Sequence, residues 1–275
     1  MVTHSVYQTL ICIFMAQHLL SIMKSVLYSL LFFLFPLISS AQEGYEIQVY
    51  SSPTVPKGNT MVELHGNYTA DGERQVVDGV YPTHHEGHAT IEITHGFTSC
   101  FELGFYIFNS LGDGNRTNYV GSHIRPRIRV PDSWNWPVGV SLSTEVGFAK
   151  KEFSADQYTL EIRPIIDKTI NKFYISLNPV LDRSLKGVNS SKGFIFSPNA
   201  KIAFDNTALI TPGLEYYGAL GAFGHFDSGP LQEQQLFLTI DLHVNPIWEF
   251  NAGYGQGLTS VTDRSVVKFY VGRRF

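Results

Sequence analysis

Apolar and polar residues alternate along most of this chain with a period of two, the period of a β-strand that has one apolar and one polar face. Near the C-terminal end, Val267 and Phe269 share one face and Lys268 belongs to the other. Segments of about ten residues with this pattern are separated by clusters of Gly, Asn, Asp, Pro and Ser. The pattern predicts an all-β fold, a closed antiparallel transmembrane β-barrel.

We predict about twelve strands, an even number that is usual for single-chain bacterial barrels. They lie near residues 60–69, 87–96, 99–109, 118–130, 138–149, 156–166, 170–181, 193–204, 207–219, 232–243, 247–258 and 264–275. Because the last strand has nothing after it to cover its edge, we expect it to pair with the first strand and close the barrel.

A soluble β-sandwich would show similar alternation with its apolar face turned inward, but two features argue against it. The connections alternate between short and long, as in outer-membrane barrels with short periplasmic turns and longer outer loops. Short turns are predicted at 97–98, 167–169, 205–206 and 244–246, a longer turn at 131–137, and long loops at 70–86, 182–192 and 220–231. Aromatic residues such as Trp134, Trp136 and Trp248 lie near strand ends, where interfacial girdles belong.

The N-terminal region predicts export. Lys24 is followed by an apolar run that ends in small residues before Gln42, which is typical of a secretory signal peptide over residues 1–41. We interpret residues 1–22 as the result of a translation start that is assigned too early, with the true start near Met23. The alternative is that they form a genuine first helix. We expect residues 42–59 to be a periplasmic lead-in and residues 60–275 to be the barrel, in the outer membrane of a Gram-negative bacterium.

The charge and the cysteine content of the chain argue against a nucleic-acid-binding function and against a fold held by disulfides. The chain has 20 basic and 24 acidic residues and a net charge of −4, which argues against a nucleic-acid partner. Only Cys100 lies after the predicted cleavage site, so the mature chain cannot form an internal disulfide. We expect no cofactor and no catalytic residues; outer-membrane lipid, a small-molecule solute and the barrel-assembly machinery that reads a terminal strand ending in Phe275 are the expected partners.

The inward face carries the candidate functional residues. Arg125, Arg127 and Arg129 share one face of a predicted strand and form a cationic ladder. Further inward charges are Glu102, Glu145, Glu161, Arg163, Asp241 and Glu249. Hairpin register places Glu102 near Arg125 and Glu145 near His123. One interpretation is a lumen filled with mutually satisfied charge pairs; the other is a pore wall that selects anionic or aromatic solutes.

Other candidate chemistry is weaker. His84, His85 and His88 have a spacing that could hold a metal, but neither a Cys nor a carboxylate lies at tetrahedral spacing beside them, so a polar loop is the simpler interpretation. An acyl-chain enzyme of the outer-membrane phospholipase type would need a His and a Ser separated by one residue, and no His-x-Ser occurs. We therefore predict a non-enzyme: a passive channel or transporter, or a non-conducting structural or partner-binding barrel.

Four stretches carry a family resemblance: Pro53–Leu64 with its Pro-x-x-x-x-Gly, His88–Phe105 with its Gly-Phe-Thr turn, Glu249–Gly257 with Ala-Gly-Tyr-Gly, and the terminal Arg-Arg-Phe. From about residue 53 to its end, the chain resembles the outer-membrane β-barrel family of the phenol-degradation MetA-pathway type. The resemblance implies a channel or transporter, with passage of small hydrophobic or aromatic solutes, and it supplies no catalytic residues.

Overall fold

The computed structural model describes residues 44–112, 116–205 and 209–275, with the side chain of Arg116 left undescribed. The predicted signal peptide and the first two residues of the predicted lead-in lie outside these ranges. The strands are β1 (Thr60–Asp71), β2 (Gly87–Gly96), β3 (Phe101–Gly112), β4 (Arg116–Arg129), β5 (Gly139–Ala149), β6 (Asp156–Ile170), β7 (Phe173–Gly187), β8 (Phe194–Phe204), β9 (Ile210–Ala219), β10 (Gly221–Ala222), β11 (His225–Phe226), β12 (Glu233–Leu242), β13 (Trp248–Gly257) and β14 (Ser265–Arg274). Short 3-10 turns occur at Asp132–Trp134 and Gly229–Leu231.

Twelve of these strands form a closed antiparallel barrel, which confirms the predicted fold. Each pairs with its neighbour in sequence, except that β9 pairs with β12, while β10 and β11 form a small hairpin beside β8. β1 and β14 close the ring over the register Met61↔Arg274 to Thr69↔Val266. The predicted pairing of the last strand with the first is therefore correct, and it removes the free edge.

Side chains sort between the two faces as the alternation predicts. On β12, Leu238 is 66% exposed on the outside of the barrel, whereas its neighbours Phe237 and Thr239 are buried in the lumen. An apolar outer surface and a polar interior are what a bilayer requires of a barrel.

None of the helices among the described residues has the length and apolar character to cross a membrane.

One predicted turn is wrong. Residues 167–169 belong to β6, which continues to Ile170, and the connection to β7 is the pair Asn171–Lys172. Asn171 has φ 56°, in the left-handed region that asparagine tolerates better than most residues. Asp167 instead points into the lumen, where it accepts hydrogen bonds from the backbone N–H and the hydroxyl of Ser52 at 2.6 and 2.7 Å.

The described part of the predicted lead-in lies in the barrel interior, against inward-facing side chains of the strands. We call residues 44–56 the lumen segment. Its upper end lies beside Asn67, whose amide donates to the carbonyl oxygen of Gly44 at 2.7 Å, in the half of the barrel nearer the long loops. Its lower end passes over Gly96 at the short-turn end, where a Cβ would lie 2.3 Å from the carbonyl oxygen of Val55.

The lumen segment is held inside because its residues match the inner wall. Tyr45 packs with Tyr106 and Phe108 in one buried apolar cluster. Ile47 and Val49 pack with Tyr217, Phe237 and Val266 in a second. Contact with a purely charged wall would not stabilise these apolar side chains. The inward-facing aromatic residues do stabilise them, because both sides of the contact then remove apolar surface from water.

Candidate functional site

The candidate site is the lumen where the lumen segment crosses it, and its centre is Tyr50. The guanidinium carbons of Arg125, Arg127 and Arg163 lie 5.0, 5.6 and 4.9 Å from the centroid of the Tyr50 ring. Arg125 and Arg127 lie on β4 and Arg163 lies on β6. All three occupy positions that face the lumen, since side chains along a strand alternate between the lumen and the lipid. Each cation is within the distance at which a ring face attracts it.

The Tyr50 backbone is also bound by the wall. Its N–H donates to the side-chain oxygen of Asn178 at 2.8 Å. Its carbonyl oxygen accepts from the Ser176 hydroxyl at 2.6 Å and from the Asn178 amide at 3.1 Å. The Tyr50 hydroxyl lies 2.8 Å from that of Tyr106 and contacts Glu46. Every polar group of this residue therefore has a partner inside the barrel, as buried polar groups require.

Arg125 is the most enclosed cation of the predicted ladder, with 2% of its surface exposed. Its Nη1 donates to Glu102 at 3.0 Å, its Nη2 pairs with Glu92, and its Nε donates to the Tyr106 hydroxyl. Two carboxylates and a phenol thus satisfy one guanidinium, the arrangement that allows a charge to remain buried.

Arg127 joins the wall to the lumen segment. Its Nη2 lies 2.7 Å from Glu102. The same guanidinium donates to the carbonyl oxygens of Ser51 at 3.0 Å and Pro53 at 2.9 Å. Glu102 in turn accepts from the backbone N–H of Val55 at 2.6 Å. The pair of side chains thus holds the segment backbone from both sides.

The wall formed by β4, β5 and β6 carries two further pairs. Arg163 forms a bidentate pair with Glu161, with N–O distances of 2.6 and 2.7 Å, and reaches the Gln48 carbonyl oxygen at 3.5 Å. His123 contacts Glu145, as the hairpin register indicated. A cavity beside the lumen segment is lined by both pairs and by Glu46, Gln48 and Thr159.

Two predicted lumen candidates lie away from this centre. Arg129 pairs with Asp132, whose side chain is 85% exposed, at the short-turn end of the barrel. Glu249 lies at the same end, 3.4 Å from Arg274, and its side chain is 43% exposed. The predicted ladder on β4 therefore has two central members and one at the mouth.

A second charged cluster on the opposite wall includes residues that the sequence analysis did not select. Lys201 lies 3.0 Å from Glu215 and 2.8 Å from Asp241, which was a predicted candidate. Lys268 pairs with Glu215 and donates to the carbonyl oxygen of Ile47 at 2.8 Å. Inward parity could have selected Lys201, Glu215 and Lys268, but it does not indicate that they meet, because β9 and β14 are far apart in sequence.

The three loop histidines do not come together. The rings of His84 and His85 stack with centroids 3.9 Å apart in the first long loop. His88 is buried at the start of β2, and its Nδ1 lies 3.0 Å from Asn67 and 3.1 Å from the Gly44 carbonyl oxygen. The possible metal ligands that do converge among the described residues are Glu46, His65 and Glu92.

Comparison with solved structures finds this fold in outer-membrane channels. The COG4313 outer membrane channel from Pseudomonas putida F1 matches with a TM-score of 0.56 at 10% identity, over 84% of this chain and 100% of that one. The KdgM porin matches with 0.51 at 10% identity, over 78% and 98% of the two chains, and the NanC porin with 0.50 at 8%, over 77% and 97%.

No family model and no curated protein matches the sequence. The resemblance to the MetA-pathway type of barrel therefore stays a prediction. At the identities found among solved structures, the likeness concerns the fold alone: the chain has the twelve-stranded barrel fold found in outer-membrane porins and channels.

Proposed function

We propose that this chain is an outer-membrane channel for small anionic solutes, closed by its own lumen segment and conducting when that segment withdraws. The observation that carries the proposal is how residues 44–56 are held. They bind the wall through side chains and form no strand of the barrel sheet. Withdrawal would therefore leave all the strand pairs intact.

The preference for anions follows from the arginines that the segment occupies. Arg127 donates two hydrogen bonds to carbonyl oxygens of the segment and Arg163 donates one. Both guanidinium groups also face the Tyr50 ring. When the segment leaves, these donors line a water-filled path in a low-dielectric surround, which focuses their field on passing anions.

The test is conductance of the refolded protein in planar bilayers, with Tyr50→Ala to release the segment. We expect Tyr50→Ala to conduct more than the native chain and to prefer anions in a reversal-potential measurement. Adding Arg127→Gln should lower that preference, most at low salt, where screening is weak. Arg127→Gln is suitable because Glu102 keeps Arg125 as a partner at 3.0 Å.

Arg129→Gln is the matched control, since Arg129 pairs with Asp132 at the mouth of the barrel. It removes the same charge from the same strand and should change selectivity less than Arg127→Gln. Equal effects of the two substitutions would contradict a selective centre at Tyr50.

A second candidate is passage of small hydrophobic or aromatic solutes, which the family resemblance implies. It is favoured by the two apolar clusters that withdrawal of the segment would uncover, around Phe108 and around Phe237. Uptake of a neutral aromatic solute into proteoliposomes by Tyr50→Ala, without anion preference, would favour this reading. A barrel that stays silent in both assays would be a structural one, with a permanently filled lumen.

A further inference from the structure

Three potential metal ligands from different parts of the chain meet in the lumen. Glu46 belongs to the lumen segment, His65 to β1 and Glu92 to β2, and β1 and β2 are adjacent, with His65 opposite Thr90. One imidazole nitrogen and one oxygen from each carboxylate all lie within 4.8 Å of one another. Imidazole and carboxylate are common ligands of divalent transition metals.

Two of these ligand atoms have no hydrogen-bond partner among the described residues. They are Nε2 of His65 and Oε2 of Glu92, in side chains that are 4% and 1% exposed. The two atoms face each other at 3.4 Å. They can form an ion pair with each other, but 3.4 Å is longer than the roughly 2.7–2.9 Å of a charge-assisted hydrogen bond, so both atoms remain able to bind a third group.

The other half of the Glu92 carboxylate is already occupied. Its Oε1 accepts from the Thr94 hydroxyl at 2.6 Å and from Nη2 of Arg125. These contacts fix the carboxylate so that Oε2 points toward His65 and Glu46. Outer contacts of this kind orient the ligands of protein metal sites.

We propose that Glu46, His65 and Glu92 bind a divalent transition-metal ion of the zinc class. Zinc–ligand bonds of about 2.0–2.1 Å in a tetrahedron place neighbouring ligand atoms about 3.3 Å apart. The separation of 3.4 Å between His65 and Glu92 is therefore already that of two ligands on one ion. The Glu46 carboxylate, which has an oxygen within 4.8 Å of both atoms, would move toward them to complete three protein ligands, and water would take the fourth position.

The charges of the site favour a cation. Two carboxylates this close repel each other unless a proton or a positive ion lies between them. Arg125 faces Oε1 of Glu92 on the far side of that carboxylate, and it is shared with Glu102. A divalent ion bound to Oε2 would neutralise Glu46 and the remaining charge of Glu92 together.

Such an ion would join the lumen segment to the wall, because one ligand lies on the segment and two lie on strands. If the proposed channel function holds, bound metal would keep the segment in place and lower conductance. This consequence rests on the proposed function, whereas the site itself does not.

The test is titration of Zn²⁺ into the refolded, chelator-treated full chain in detergent, followed by calorimetry. We expect one Zn²⁺ per chain, and Co²⁺ in its place should give the visible absorption bands of a low-coordinate site. His65→Gln and Glu46→Gln should each weaken binding at least tenfold. Glu46→Gln changes the segment and no strand, so its barrel should still migrate as a folded species in unheated gel electrophoresis.

The matched control is the double variant His84→Gln, His85→Gln, which removes the two stacked loop imidazoles and should bind Zn²⁺ as the native chain does. Absence of Zn²⁺ binding, or binding that the loop variant abolishes and His65→Gln leaves unchanged, would overturn the assignment. Neither result depends on whether the barrel conducts, so failure of the metal site and failure of the channel proposal are distinguishable.

Discussion

At the residue scale, the lumen is organised around one aromatic ring that faces three guanidinium groups. Arg125 and Arg127 could be identified from the sequence, because strand parity puts them on the inner face. Tyr50 could not, because the alternation from Tyr45 to Tyr50 looks the same in a strand, a linker or a segment inside a barrel. The segment lies inside the barrel because aromatic residues of the wall pack against it. These residues come from strands that are far apart in the sequence, so no local pattern reveals the match.

The Tyr50 ring gives the first prediction. Tyr50→Ala removes all three cation–π contacts, which together contribute about 2 kcal/mol or more in a desolvated site. We expect the fraction of channels with a displaced segment to rise about 30-fold. Tyr50→Phe keeps the ring and loses the hydroxyl contacts with Glu46 and Tyr106, so its effect should be smaller. Protease susceptibility near residue 50 measures both, and a larger effect of Tyr50→Phe would contradict the role of the ring.

At the element scale, strand alternation was sufficient to predict the barrel, its closure and the positions of most strands, although β6 and β7 extend past their predicted ends to Ile170 and Gly187. In the β3–β4 register Glu102 lies opposite Arg127 and diagonally across from Arg125, so its contacts with both arginines are contacts between neighbouring strands. Lys201 and Glu215 are likewise register partners, on β8 and β9, but the Lys268–Glu215 contact could not be predicted, since it crosses the lumen from β14 to β9. Local pattern therefore indicates which way a side chain points, and neighbouring register indicates some of its partners.

The two faces of a strand should respond differently to a new charge. Leu238→Arg puts a cation on the lipid face and should destabilise the barrel by about 2–4 kcal/mol if it lies near the bilayer midplane. Thr159→Arg adds the same side chain to the polar lumen cavity and should cost less. Thr159 is a better lumen control than Thr239, the inward neighbour of Leu238. Thr239 is buried and packs so closely against Gly253 that a Cβ there would lie 2.9 Å from the Thr239 methyl group, which leaves no room for a larger side chain. Urea titration in lipid vesicles measures both, and equal losses would contradict the face assignment.

At the scale of the whole molecule, the loop between β1 and β2 meets the connection between β13 and β14 at Asp263. Its carboxylate accepts from the Thr83 hydroxyl at 2.6 Å and from the backbone N–H of Glu73 at 3.2 Å. These contacts tie residues on both sides of the β1–β14 closure. The loop sequences gave no sign of this link, because it depends on how closure brings the two ends of the chain together.

The folded arrangement of the two loops around Asp263 should lose stability as the pH rises, because the buried carboxyl group becomes charged. Burial raises the pKa of Asp263 above its ordinary 3.8, and the hydrogen bonds that its carboxylate accepts from Thr83 and Glu73 offset only part of that rise. A raised carboxyl pKa means that the folded state holds the proton more tightly, so the stabilisation is present at low pH and is lost as pH rises through the folded value. The ratio of loop cleavage between the native chain and Asp263→Asn should therefore increase from pH 4 to pH 7. A ratio that does not change with pH would contradict this coupling.

The same closure has a consequence for how the molecule is made. The lumen segment is bound by Thr90 of β2 on one side of the β1–β14 closure and by Lys268 of β14 on the other. β1 follows the segment directly in the chain, whereas β14 is synthesised last. The contacts with β2 can form before β14 arrives, so we expect the sheet to close around a segment that is already in place.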